Sequence, residues 1–171
     1  MKKFHHALLL PFITLMLFIG CKKDEVNSDW TNKMEDLQAH NAGKVSIQNG
    51  IAGTISRITG NCMPSIGEDS DCVEVPVERT IWIYAYTLQN QASRDQDGYY
   101  SDIQTDLIET AQSDDEGFYE IALPAGTYSV FIEEDGKPYA NGLDGQGGIN
   151  PVEVPTQGVV TINHRIDRAV W

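Results

Sequence analysis

Phe118-Tyr119-Glu120-Ile121-Ala122-Leu123-Pro124-Ala125-Gly126-Thr127-Tyr128-Ser129-Val130-Phe131-Ile132-Glu133 alternates apolar and polar residues on either side of a Pro-Ala-Gly break. Side chains along a strand point to opposite faces in turn, so Tyr119, Ile121, Leu123 and then Tyr128, Val130, Ile132 are expected to face one core. Proline fixes one backbone dihedral at the break and glycine accepts a positive one, which makes it a turn. Similar β-type runs recur outward from this pair: Ile51 to Ile58, Thr80 to Leu88, Ile103 to Ala111, Val152 to Val154 and Val159 to Ile166. Val160, Ile162 and Ile166 are expected on the inner row of the last run, with His164 beside them. Seven strands with hardly any helical period between them predict a single all-β sandwich over residues 49–171.

The residues before this domain read differently. Lys2 and Lys3 precede an apolar run from Ala7 to Ile19 broken only by Pro11 and Thr14. That run is too short and too interrupted for a membrane span and has the form of a secretion signal, residues 1–20. Leu17-Phe18-Ile19-Gly20-Cys21 follows, and it resembles the lipobox of bacterial lipoproteins. The resemblance implies that Cys21 becomes lipidated and that two or more acyl chains anchor the protein to the membrane, enough for stable attachment. Lys22-Lys23-Asp24-Glu25 resembles the export tag of some Gram-negative surface lipoproteins, which would place the chain on the outside of the outer membrane. It reads equally as the start of a solvated linker. Residues 21–48 as a whole are polar and read as a tether, with at most a turn of helix around Lys33 to Ala39, where only Met34 and Leu37 offer an apolar face.

Charge narrows the partners. The chain holds 12 Lys and Arg against 25 Asp and Glu. The signal carries two of the bases and none of the acids, so the remainder has a formal charge of −15. Such a surface repels phosphates, and no nucleic-acid role is expected. Besides Cys21 there are only Cys62 and Cys72, with nine residues between them in a Gly, Pro and Asp-rich stretch. Outside the cytoplasm this pair is expected to form a disulfide, and the absence of a nearby histidine sets zinc aside.

Ser113-Asp114-Asp115-Glu116-Gly117-Phe118-Tyr119, followed by Leu123-Pro124-Ala125-Gly126-Thr127-Tyr128, resembles the core motif of carboxypeptidase regulatory-like domains. That resemblance implies a transthyretin-like or Ig-like seven-stranded sandwich. Gly50-Ile51-Ala52-Gly53-Thr54 is similar to the family's first strand. Val77 to Tyr84, and Tyr139 to Asn141 through Asn150 to Val152, look like a set of surface lipoproteins of unassigned activity that carry this domain. The motif speaks to fold and hardly to function.

Activities of relatives can be tested on the residues. Hydroxyisourate hydrolases share the fold but use histidines and a Tyr-Arg-Gly-Ser tail, whereas Arg168-Ala169-Val170-Trp171 stands here. Carboxypeptidases carrying the domain use a separate zinc catalytic domain, for which the tether and sandwich leave no room. Pilin relatives form lysine-asparagine crosslinks, and Ile51 to Ile58 holds no lysine. Beyond the signal only His40 and His164 remain, so no triad is expected unless His164 meets an acid and a serine in a cleft. The chain is read as non-catalytic.

Two features suit binding. Ile81, Ile83 and Ala85 lie on one face of the second run, with Trp82, Tyr84 and Tyr86 on the other, and Tyr99 and Tyr100 follow. Two apolar faces predict either an aromatic platform for sugar rings or a partner, or a loop from Gln89 to Asp102 folded over the rings. The glycine-rich segment Asn141 to Asn150 offers Asn141, Asp144 and Asn150 as oxygen donors for calcium. One carboxylate is thin against the usual set of about six to eight oxygens, so a structured Ω-loop is favoured and no cofactor is assigned besides the lipid. The expected function is a lipid-anchored protein-interaction or adhesion module of the outer membrane. The alternative is a carbohydrate-binding accessory protein of a glycan-uptake system, separated by whether Trp82, Tyr84 and Tyr86 are exposed.

Overall fold

The computed structural model describes residues 29–64 and 71–171. The secretion signal, Cys21 and the charged cluster 22–25 lie outside them. The element order is helix α1 (Asp29–Ala42), then strands β1 (Asn49–Asn61), β2 (Val73–Pro76), β3 (Thr80–Ala85), β4 (Ser93–Arg94), β5 (Tyr100–Ser101) and β6 (Leu107–Gln112). β7 (Phe118–Ala122), β8 (Gly126–Glu134), β9 (Lys137–Tyr139), β10 (Pro151–Val154), β11 (Gly158–Thr161) and β12 (His164–Val170) complete it. The chain is all-β with packed sheets, and each of the seven expected runs has a strand. There are twelve strands among the described residues: short ones at β2, β4, β5 and β9 carry too few residues for a period, and the last run is split.

β1 is the axis of the first sheet. Its N-terminal half pairs with β7 on one edge and β11 on the other, its C-terminal half with β2 and β12. The split between β11 and β12 has a local cause. Asn163 Oδ1 takes the Thr54 N–H at 2.9 Å, and Ile162 N donates to Ala52 O at 2.8 Å. Ile162 O therefore presses on Gly53, where a Cβ would stand 1.8 Å away.

The second sheet runs β10-β8-β3-β6, with β9 also on β8 and β6 at the free edge. β7 and β8 do not pair with each other. They belong to opposite sheets, and the Pro124-Ala125-Gly126 turn carries the chain across the sandwich, tied by Tyr128 Oη donating to Pro124 O at 3.1 Å. Their two alternating rows meet from opposite sides. Tyr119, Ile121, Leu123, Val130 and Ile132 are buried and Tyr128 packs half-buried against them. Each full burial contributes roughly 1.5–3 kcal/mol.

The acidic motif is structural at its first residue. Asp114 Oδ1 accepts the Glu116 and Phe118 N–H groups, and Gly117, at φ +72°, has no room for a Cβ against Ile55 O. Ser113 Oγ accepts the Arg79 N–H and donates to Val77 O, joining the entries of β3 and β7.

The tether reading needs correction over residues 29–48. α1 is a 14-residue helix lying on β1 and β2. Its apolar face is as narrow as the sequence implies, with Met34 buried and Leu37 half-buried. Its docking is largely polar: buried Asn41 donates to Thr54 Oγ1 and Glu116 O, both at 3.0 Å. Lys44 Nζ then holds Glu116 at 2.5 Å and Asp114 at 2.9 Å, and Ser46 binds Glu120 through its N–H and hydroxyl. Those carboxylates are 70 to 74 residues away in sequence, where no helical period can announce them.

Candidate functional site

Both faces of β3 are apolar because there are two cores. Ile81 and Ile83 enter the sandwich, while Trp82 and Tyr84 pack on a second cluster of Tyr100, Phe131, Ala140 and Ile149. The segment after β3 folds back over the outer face of the second sheet, so Tyr84 and Tyr100 meet Phe131 edge-on at 5.5 and 5.3 Å. Ala92 and Tyr100 of that segment join the cluster, and Trp82, Tyr84 and Tyr86 are half-buried.

Tyr86 is used by the glycine-rich loop. Its hydroxyl donates to Asp144 Oδ2 at 2.6 Å, and a Cβ on Gly148 would collide with its ring and with Asp144. Asp144 Oδ1 accepts the Gln146 and Gly148 N–H groups at 2.7 and 2.9 Å. The Tyr86 bond, then those backbone donors, hold the Asp144 carboxyl below its ordinary value, and the same bond raises the Tyr86 phenol. Asn141 Nδ2 donates to Arg165 O at 3.1 Å. Asn141, Asp144 and Asn150 do line one cleft, but the single carboxylate is already committed to loop closure. Among the described residues no group of three or more His, Cys, Asp or Glu is placed to hold a metal.

That cleft, of about 630 Å³, has His164 in its wall together with Asn163 and Arg165. The imidazole lies 6.0 Å from the Tyr119 ring, and its Nε2 is buried without a protein partner. Burial pushes its pKa down to about 4, so the ring is neutral at physiological pH. Asp144 lines the same cleft with its carboxylate bonded to Tyr86 and the loop backbone, and the cleft lining contains no serine, threonine or cysteine.

A second cleft, of about 560 Å³, opens beside the β4–β5 ribbon. Tyr84, Tyr99 and Tyr100 line it with Arg94, Asp95, Asp102 and Lys137. The Arg94 guanidinium lies 5.9 Å from the Tyr100 centroid and Lys137 Nζ 5.1 Å from that of Tyr99. Tyr99 Oη donates to Asp135 Oδ2 at 2.8 Å; burial first, then this bond, raises its pKa. Tyr84, in the cleft lining, pairs with Leu107 of β6, where Leu107 and Ile108 are 51% and 45% exposed. The pairing of β6 with β3 shifts register between Ile83 and Tyr84, and among the described residues no strand covers the other edge of β6.

No family model, curated protein or solved structure matches this chain.

Cys62 and Cys72 are joined, as their spacing predicts. The ionic cluster around Glu134 had one sequence signal. Arg57 continues the inward row Ile51, Gly53, Ile55, a position where an arginine needs a buried partner. Glu134 supplies it, 3.2 Å from Arg57 Nε and 2.9 Å from Arg79 Nε.

Proposed function

We propose that this chain is a lipid-anchored, non-catalytic protein of the bacterial outer membrane that holds a surface protein partner through the free edge of β6. The reading takes its anchor from the lipobox at Cys21 and its transthyretin-like assignment from the motif at Ser113 to Tyr128. The observation that supports the binding edge is Leu107 and Ile108, half-exposed on an uncovered strand next to an aromatic cleft. An extended segment adding to such an edge gains backbone hydrogen bonds, and the cleft supplies a pocket for its side chains.

A glycan-uptake accessory is the second reading, supported by Tyr84 and Tyr99 standing among carboxylates and bases in the 560 Å³ cleft. A surface-protein pulldown and a glycan array, run in parallel on residues 22–171, separate the two. Protein capture lost in Leu107→Lys/Ile108→Lys supports the edge. Sugar binding lost in Tyr99→Ala, with no protein captured, replaces it by the glycan reading.

A further inference from the structure

Among the described residues the exposed apolar surface is concentrated at one end. Of the eight large hydrophobic residues exposed among the described ones, five surround the Cys62–Cys72 disulfide: Met63, Val73, Val75, Val170 and Trp171, at 46, 42, 45, 58 and 61% exposure. The pairing explains the gathering. From Arg57, where Glu134 closes the second sheet, β1 runs on and pairs Arg57 with Val75, Thr59 with Val73 and Asn61 with Val170. Among the described residues no strand of the second sheet faces the last residues of this three-strand overhang beyond Arg168, which Tyr99 and Tyr139 cover, so its outermost side chains remain open to solvent. Trp171 continues from it, with its indole N–H satisfied by Asp167 at 3.0 and 3.1 Å and the Arg165 guanidinium 5.9 Å over its ring, and it remains 61% exposed.

The same end receives the start of the helix. α1 places Asn41, in its last turn, beside Thr54 and also lies on β2, which is paired to Ser56 through Thr59. The helix therefore runs back along β1 toward Asn61, and its N-terminus emerges at the overhang. Only seven residues lie between Cys21 and Asp29, eight Cα–Cα steps in all. Extended, they span at most about 28 Å.

We infer that the overhang rests on the bilayer, with Trp171, Val170, Val73, Val75 and Met63 entering the interfacial layer. This rests on the lipid anchor proposed above. Tryptophan is favoured at the membrane interface, where an apolar ring and a satisfied polar N–H suit the two environments. A contact of this size does not hold a protein on a membrane alone, but the acyl chains on Cys21 make it intramolecular. Leu107 pairs with Tyr84, at the end of β3 remote from Thr80 and the Glu134 cluster, so this orientation keeps that part of the β6 edge clear of the bilayer.

The test uses the full chain, processed in a lipidating bacterium and reconstituted into phosphatidylcholine vesicles. Mass spectrometry of Cys21 and vesicle flotation report the anchor. Trp171 emission, in a Trp30→Phe/Trp82→Phe background, is read with and without nitroxide-labelled lipid. We expect flotation, with Trp171 losing roughly half its emission to a shallow nitroxide, and with the loss abolished in Val73→Glu/Val170→Glu although that variant still floats. Hydrogen exchange of the unsubstituted chain gives an independent reading, slower at residues 59–63 and 168–171 on vesicles than in detergent. Flotation with unchanged Trp171 emission and unchanged exchange overturns the membrane contact while the anchor stands. An unmodified Cys21 overturns the anchor, and this inference with it.

Discussion

Glu134 and Arg79 form a buried ion pair: Glu134 is 1% exposed, and its Oε2 lies 2.9 Å from Arg79 Nε. Arg57 approaches the other oxygen at 3.2 Å and Arg168 at 4.0 Å. The Arg168 guanidinium also sits between the Tyr99 and Tyr139 rings, 4.7 and 4.6 Å from their centroids. One carboxylate therefore clamps the end of β8 to β1 and β12 of the facing sheet. Removing one partner of such a pair leaves uncompensated buried charge. Glu134→Gln is expected to cost about 3–5 kcal/mol in urea unfolding, whereas Arg57→Met, at the more exposed partner, costs clearly less. A Glu134→Gln loss no larger than that of Arg57→Met would count against the clamp.

His164 sets a pH dependence with a definite sign. Burial lowers its folded pKa from 6.5 to about 4, so the unfolded chain binds the proton first as pH falls. Stability from this residue is full above pH 6.5 and is lost as pH falls from there toward 4, by up to about 3 kcal/mol. His164→Phe should flatten urea midpoints across that window. The carboxyls of Asp114, Glu120 and Asp144, held below their ordinary values, lose their contributions at more acid pH, so their slope remains in the variant.

Two glycines at positive φ separate backbone strain from collision. At Gly136, φ +74°, nothing lies within 4 Å of an added Cβ, and Gly136→Ala should cost only about 1 kcal/mol. At Gly117, φ +72°, the Cβ would stand 2.3 Å from Ile55 O. Gly117→Ala should therefore cost several times more, about 3 kcal/mol or above, with a matching fall in melting temperature. Equal losses would mean that the Asp114 turn yields freely.

The second core makes the aromatic residues structural before they are anything else. Phe131, fully buried between Tyr84 and Tyr100, should cost about 3–5 kcal/mol as Phe131→Ala. Trp82→Ala should destabilise as well, so a binding loss in it carries no meaning without an unfolding curve. Tyr99→Ala needs the same control, since its ring also packs on Arg168 and Tyr139.

Much of this was legible in the chain and some was not, for physical reasons. Alternation at Tyr119 to Leu123 and Tyr128 to Ile132 identifies inward rows whether two strands pair or face each other, so it located the core without saying that β7 and β8 lie in opposite sheets. Two apolar faces on Ile81 to Tyr86 announced that both are used, but an aromatic row looks the same under a loop as in solvent. α1 was hidden because its stability comes from Asn41, Lys44 and Ser46 reaching residues some seventy positions away. The 560 Å³ cleft was half legible, since Tyr84, Tyr99 and Tyr100 stood out as aromatics, whereas Arg94 and Lys137 join them only through the fold.

Site-specific photocrosslinking at Ile108, in the full chain on living cells, tests the binding edge most directly, with a crosslinker at Thr161 on the opposite side as control. The edge model predicts crosslinks from Ile108 mapping to one continuous segment of one surface protein, none from Thr161, and loss of capture in Leu107→Lys. Equal labelling from both positions, or no protein crosslink at Ile108 together with sugar binding that depends on Tyr99, would contradict it.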